Sequence, residues 1–161
     1  AGKVLAIEPQ SRLRSLIETN LKLNNLENVR IEQAAVSDRD GQREIYLSPN
    51  TNTGSSGFFN VAKYPVPVET VTIKSLRRVL DENEIETVDL LKVDIEGSEY
   101  EAIIGSPDVF QSRRVRAIAL ELHPAQIAAR GKRVQDIDTF LASCGYGKPP
   151  TAPTNLWVLI P

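Results

Sequence analysis

Sulfur and imidazole are nearly absent from this chain of 161 residues: it has one cysteine, one histidine and no methionine. A lone cysteine, Cys144, excludes an internal disulfide and any cysteine-built zinc site. With no signal peptide either, the free thiol points to a reducing, cytoplasmic setting. No apolar run approaches the roughly 20 residues that a membrane span requires, so no membrane span is expected. A strong charge of either sign is also missing. Nineteen basic and 21 acidic side chains leave a net charge of −2, and nothing forms the basic stripe that tracks a nucleic acid. Nor is there a Gly-x-Gly-x-x-Gly turn, which disfavours a nucleotide-dependent oxidoreductase. The chain opens Ala1-Gly2-Lys3, without methionine, and enters the apolar run Val4–Ile7 almost at once. That opening reads as a chain beginning inside a larger domain.

The chain is long enough to bury a core and reads as one domain, residues 1–161. Apolar residues alternate between two periods. Val4–Ile7 is strand-like, and residues 10–24 carry Leu13, Leu16, Ile17 and Leu21 at helical spacing. Val29–Val36 reads as a strand followed by a turn at 38–41. Glu44–Leu47 and Val66–Ile73 read as two arms of an antiparallel excursion around 43–73. Between them, residues 48–60 form a polar Gly/Ser-rich loop of the length often used for lids and binding loops. Ser75 caps a short helix ending near Asn83. A buried strand follows over 88–95, then a helix to Ile104. Arg116–Leu122 is a strand, 133–142 a helix, and Asn155–Ile160 a closing strand. Strands alternating with helices imply an α/β fold, a mostly parallel sheet with helices on both faces.

The residues with the most chemical content lie where strands end. Lys92, Asp94 and Glu96 alternate and so share a strand face, at the carboxyl edge where open α/β sheets bind ligands. Gly97 permits a sharp turn, and Ser98-Glu-Tyr-Glu101 reads as a capping box. Glu99 falls in the first helical turn, where the dipole favours an acid. His123 ends the next strand, in Glu121-Leu-His-Pro124, with Glu121 on the same face. Asp94, Glu96, Glu121 and His123 together form either an acid/base cluster or a weak divalent-metal site; the oxygen-rich set is not a zinc pattern. Glu8, after the first strand, is either a solvated turn residue or a carboxylate that accepts hydrogen bonds from a ribose diol. Ser37 and Asp38, after the second, are placed beside an adjoining base.

In order along the chain come Ile7-Glu8-Pro9, Asn24-Asn25, Ala34-Ala-Val-Ser-Asp38 with Gly41, the Gly/Ser loop, Val68–Ile73 leading to Ser75-Leu76, Leu91-Lys-Val-Asp-Ile-Glu-Gly-Ser-Glu99, and Glu121-Leu-His123. This series resembles the FkbM family of S-adenosylmethionine-dependent methyltransferases, and the Lys-x-Asp-x-Glu-Gly-x-Glu element is its most specific part. The resemblance implies a Rossmann-like class I methyltransferase fold and S-adenosylmethionine as cofactor, and no residue is assigned to a metal. It implies O-methylation of a hydroxyl on a sugar, glycolipid or secondary metabolite. Glu8 would hold the cofactor's ribose, Ser37 and Asp38 would lie near its adenine, and Asp94 near the reacting centre. Asp94, Glu96 and His123 would act in catalysis, and Ser55, Ser56, Glu99 and Glu121 would meet the acceptor.

One departure is plain. Such methyltransferases open with a strand and a glycine-rich turn, and Ala1-Gly2 supplies neither. The expectation is an N-terminally incomplete domain with a gapped or re-paired sheet, binding S-adenosylmethionine weakly or not at all as these 161 residues. A non-catalytic α/β binding or scaffold module is the competing reading. Retention of Asp94, Glu96 and His123 argues against it.

Overall fold

The computed structural model describes residues 2–48, 56–58, 66–151, 153 and 155–160. Most of the Gly/Ser loop, Ser55 included, lies outside the described residues. Among those described, no helix is long and apolar enough to cross a membrane.

Period-two burial shows why the antiparallel excursion forms. In β5 (Val68–Ser75), Val71 and Ile73 are buried while Thr70 and Thr72 are exposed, as in a strand covered on one face. β5 runs antiparallel to β4 (Gly41–Tyr46), with Gly41 opposite Ile73 and Tyr46 opposite Val68. On its other side it pairs in parallel with β3 (Ala35–Ser37). Ala35, Ile45, Val71 and Ile73 close a small core with Phe58.

A larger core surrounds the second ladder. β6 (Val88–Val93) lies parallel to β7 (Val115–Leu120), which continues antiparallel through β9 (Leu156–Leu159) to β8 (Tyr146–Gly147). Ile118 and Trp157 from this ladder pack with one helical stripe after another. Leu76 and Leu80 come from α2 (Leu76–Glu82), Ile103 from α3 (Glu99–Ile104) and Phe110 from α4 (Pro107–Gln111). Ile127 comes from α5 (Pro124–Ala128), and Ile137 and Leu141 from α6 (Val134–Ser143). Spacings of three and four residues bring these side chains to one helix face.

The first ladder is smaller. β1 (Val4–Ile7) and β2 (Val29–Glu32) pair in parallel, joined by α1 (Ser11–Leu23), which has no buried residue.

Several expectations need correction. The strand expected over 29–36 breaks at Gln33-Ala34, so that β2 pairs with β1 and β3 with β5. Among the described residues the ladders are not mostly parallel: three strand pairings are parallel and three antiparallel. The return from β8 to β9 explains part of this, because a parallel crossover needs about a dozen residues or more and the link spans only 148–155. β1 and β6 belong to separate ladders, the gap that was expected between them. α4 and α5 were not anticipated; each begins with proline at a first-turn position, where its missing N–H costs nothing.

Phe110 is fully buried, edge-on to Phe140 and Tyr146 with ring centroids 6.1 Å away in both cases. Phe110→Ala should cost about 3–5 kcal/mol in urea denaturation; a loss below about 1 kcal/mol would contradict this placement of the core.

Candidate active site

Parallel neighbours deliver their outgoing chains to the same edge. β6 ends at Val93 and β7 at Leu120, and the N–H of Glu121 donates to Val93 O at 2.9 Å. The segments 94–98 and 121–123 therefore leave the ladder side by side. The strand stops two residues earlier than the sequence suggested, so Asp94 and Glu96 lie in the turn beyond it. That turn is left-handed at two successive residues, Glu96 with φ 52° and Gly97 with φ 96°. A non-glycine residue held there stores strain, a feature common at functional sites.

Glu99 holds the turn in shape. Its carboxylate is fully buried, and Oε1 accepts the N–H of Gly97 at 3.0 Å and that of Ile95 at 3.3 Å. The same oxygen lies 2.9 Å from His123 Nδ1. An oxygen already accepting two amide protons acts as an acceptor here also, so Nδ1 carries the hydrogen. Nε2 of His123 is left facing Glu96 Oε2 at 3.7 Å. Ser98, expected to cap α3, makes no side-chain cap bond.

Asp94, Glu96 and His123 each present one atom within 4.8 Å of the others, close enough to converge on one cation or one polar group of a ligand. Lys92 supplies a cation at Asp94, with Nζ 2.8 Å from Oδ2. Burial works against a charge on His123. The hydrogen bond to Glu99 and the negative charges of Glu99, Glu96 and Asp94 outweigh it, so the imidazole pKa lies above the ordinary histidine value. Arg130 fastens the turn from behind, donating to Gly97 O and to Glu101, while its Nε bonds Gln126 O at 3.2 Å.

The other predicted residues are distributed around this cluster. Glu121 is exposed beside it. Ser56 accepts hydrogen bonds from Ser48 N–H and from Arg12. The next residue, Gly57, packs on Glu96: a Cβ there would lie 3.6 Å from Glu96 Cβ and O. Ser55 lies outside the described residues. Glu99 is corrected: expected to meet an acceptor, it is sealed from solvent and orients His123 instead. Glu8 accepts from Gln10 N–H at 2.8 Å, and burial, more than anything else around it, raises its carboxyl pKa. Ser37 is buried with Oγ 3.1 Å from Asp38 Oδ1. Asp38 abuts the end of α3, where a Cβ on Gly105 would come within 2.5 Å of its Cα. Gln10, Arg12 and Arg130 were not singled out from the sequence; Arg12 reaches Ser48 and Ser56, and Arg130 reaches Gly97 and Glu101, contacts between segments that no local pattern reports.

Residues 1–147 match the family model of the methyltransferase FkbM domain. The chain belongs to that family. It is 24% identical over 123 residues to the AMB antimetabolite synthetase AmbE of Pseudomonas aeruginosa (strain PAO1), a match covering 70% of this chain and 6% of the synthetase. Its structure resembles the crystal structure of an FkbM methyltransferase from Methylobacillus flagellatus KT at a TM-score of 0.56 and 15% identity. That likeness covers 98% of this chain and 36% of the crystallised one, and what it shows is the fold.

A side chain at position 97 would meet both strain and a wall, its Cβ lying 2.4 Å from Gln126 Cβ. Gly97→Ala should destabilise the protein by about 1–3 kcal/mol, and a Gln126→Gly background should recover the steric share only. An unchanged urea midpoint for Gly97→Ala would show that α5 does not press on the turn.

Proposed function

We propose that this family domain transfers a methyl group from S-adenosylmethionine to a hydroxyl on a sugar, glycolipid or secondary metabolite, with its strands arranged as a Rossmann-like methyltransferase sheet. The observation that carries the reading is the Glu99–His123–Glu96 arrangement, a histidine of fixed tautomer opening toward a carboxylate at the sheet's edge. A scaffold module has no use for a buried carboxylate that orients an imidazole.

The residues present fit the cofactor. Glu8 is a partly buried carboxylate that follows β1 and already accepts from Gln10, and a ribose diol would offer it two further donors. Ser37 and Asp38 end the neighbouring chain segment as polar groups beside α3, on the side proposed for the adenine. When bound, the cofactor supplies an electrophilic methyl on a sulfonium. The chain's own part is to orient the acceptor and take a proton. Asp94 and Glu96 accept hydrogen bonds from neighbouring hydroxyls of the acceptor and hold the reacting one in line with its O–H toward His123, and positioning provides most of the rate. As the oxygen–carbon bond formed and the sulfonium–methyl bond broke, its electron pair returning to sulfur to leave a neutral thioether, the hydroxyl proton would pass to His123 Nε2, and Glu99 would stabilise the resulting imidazolium through Nδ1. A base with a raised pKa is protonated over more of the acid range, so transfer falls as pH drops through that pKa. Glu121 and Ser56 flank the acceptor.

Calorimetric titration of S-adenosylmethionine into the full-length protein is the test. Binding is expected, weakened tenfold or more (about 1.5 kcal/mol or above for bonds to a charged group) by Glu8→Gln, with methyl transfer lost in Asp94→Ala. No binding by the parent, or equal transfer by Asp94→Ala, would sink the reading.

A further inference from the structure

The end of β1 and the segment that covers Glu96 are joined by one continuous set of hydrogen bonds, none of which the proton transfer uses. Glu8 Oε1 accepts from the N–H of Gln10 at 2.8 Å, and the Gln10 side chain bonds Glu8 as well. Gln10 is only 5% exposed. Its Oε1 accepts from Arg12 Nε at 3.0 Å and Nη2 at 2.8 Å. The amide of Gln10 thus turns its nitrogen to Glu8 and its oxygen to Arg12, which fixes the choice between its two otherwise similar ends.

Arg12 carries the set onward. Nη2 also donates to Ser48 O at 2.8 Å and to Ser56 Oγ at 3.1 Å. Ser56 Oγ in turn accepts from Ser48 N–H at 3.0 Å. One guanidinium therefore closes the chain on itself between positions 48 and 56. Directly beyond, Gly57 and Tyr46 exchange backbone hydrogen bonds of 2.8 and 3.2 Å, and Gly57 rests on Glu96. Phe58 is buried in the small core, with the Arg43 guanidinium 4.3 Å from its ring centre. Ser56–Phe58 is thus seated at both ends, and Arg12 is what ties its first residue to the Glu8 end.

We propose that Arg12 is a positioning residue, coupling occupation of Glu8 by a diol-bearing ligand to the seating of Ser56–Phe58 on Glu96. The inference rests on the cofactor reading of Glu8. A ligand diol competes with Gln10 for the Glu8 carboxylate. The Gln10 amide then shifts toward Arg12, whose planar fork serves Gln10, Ser48 and Ser56 at once, a reach that a lysine ammonium does not reproduce. Coupling of this kind needs a contiguous physical network and a direct test of it.

The test uses the full-length protein with S-adenosylhomocysteine as probe and reads hydrogen exchange at the Gly57 amide by NMR. In the parent, the probe should slow that exchange about tenfold, an ordinary size for coupled sites. Arg12→Met should still bind the probe within about threefold of the parent, while the slowing at Gly57 disappears, because contacts at Glu8 survive and only their transmission is cut. Gln10→Leu should give the same loss from the other side, and the double variant should lose no more than either alone. A merely structural role would raise Gly57 exchange equally with and without probe, which the comparison separates. If Arg12→Met does not fold, Ser56→Ala, which removes a single acceptor, should reduce the slowing. Slowing that persists in Arg12→Met, or is missing in a parent that binds the probe, overturns the inference. A parent that does not bind the probe overturns the cofactor reading and this inference with it.

Discussion

A single buried carboxylate organises the site. Glu99 lies at zero exposure, where an acidic group is tolerated only if hydrogen-bonded. Its Oε1 meets that demand with two amide protons from the turn before it and one imidazole proton from the neighbouring segment. Three consequences follow from those bonds. They hold Ile95–Gly97 in its left-handed bend, fix the tautomer of His123, and dock the exit of β7 against the exit of β6. Oε2 is buried with no partner among the described residues, so the whole weight of solvating this carboxylate falls on one oxygen. Loss of any one donor would leave a buried acceptor short by an amount comparable to the stability of a small domain's local structure.

The same arrangement makes the site dependent on the ladder as well as on the turn. Only parallel registration of β6 with β7 places Asp94 beside Glu121 and His123. The apolar packing of Ile118, Ile103 and Phe110 holds that registration, because a one-residue slip would turn every buried side chain to the opposite face. Core packing and the geometry of the site are thus one constraint. The small core does a similar service for the opposite wall: Phe58, buried with Ile45 and Val71, anchors the segment that covers Glu96.

Much of this was legible in the residues before any coordinates, and the misses have physical causes. Strong periodicity identified β5 and α6, the Ser75 cap identified α2, and the Lys-x-Asp-x-Glu-Gly run with the motifs around it pointed to the family. Strand alternation was the wrong frame for Glu96, because β6 ends at Val93 and the chain bends into the left-handed region. Only the glycine that follows hints at that bend. The capping box from Ser98 to Glu101 failed for a tertiary reason. Arg130, from beyond α5, takes the Glu101 carboxylate away, and Glu99 supplies the bonds to the preceding turn instead. The break between β2 and β3 was invisible because Val29–Val36 reads as one strand-like segment while its two halves pair in different ladders. The Gln10–Arg12–Ser56 connection joins residues up to 44 positions apart, which no local pattern reports.

Glu99 sets the state of His123, and an NMR titration of that single imidazole measures its hold. In the parent, the neutral ring should carry its proton on Nδ1, and the pKa should lie above the ordinary value near 6.5, as the surrounding carboxylates require. Glu99→Gln should lower that pKa, since the charge is removed while the shape is kept. Because the pKa is raised on folding, the stability it contributes is full below the unfolded value and is lost as pH rises through the folded one. The difference in stability between parent and Glu99→Gln should therefore shrink with rising pH over that window. A His123 that titrates identically in the two proteins, or a neutral ring protonated at Nε2, would contradict the account.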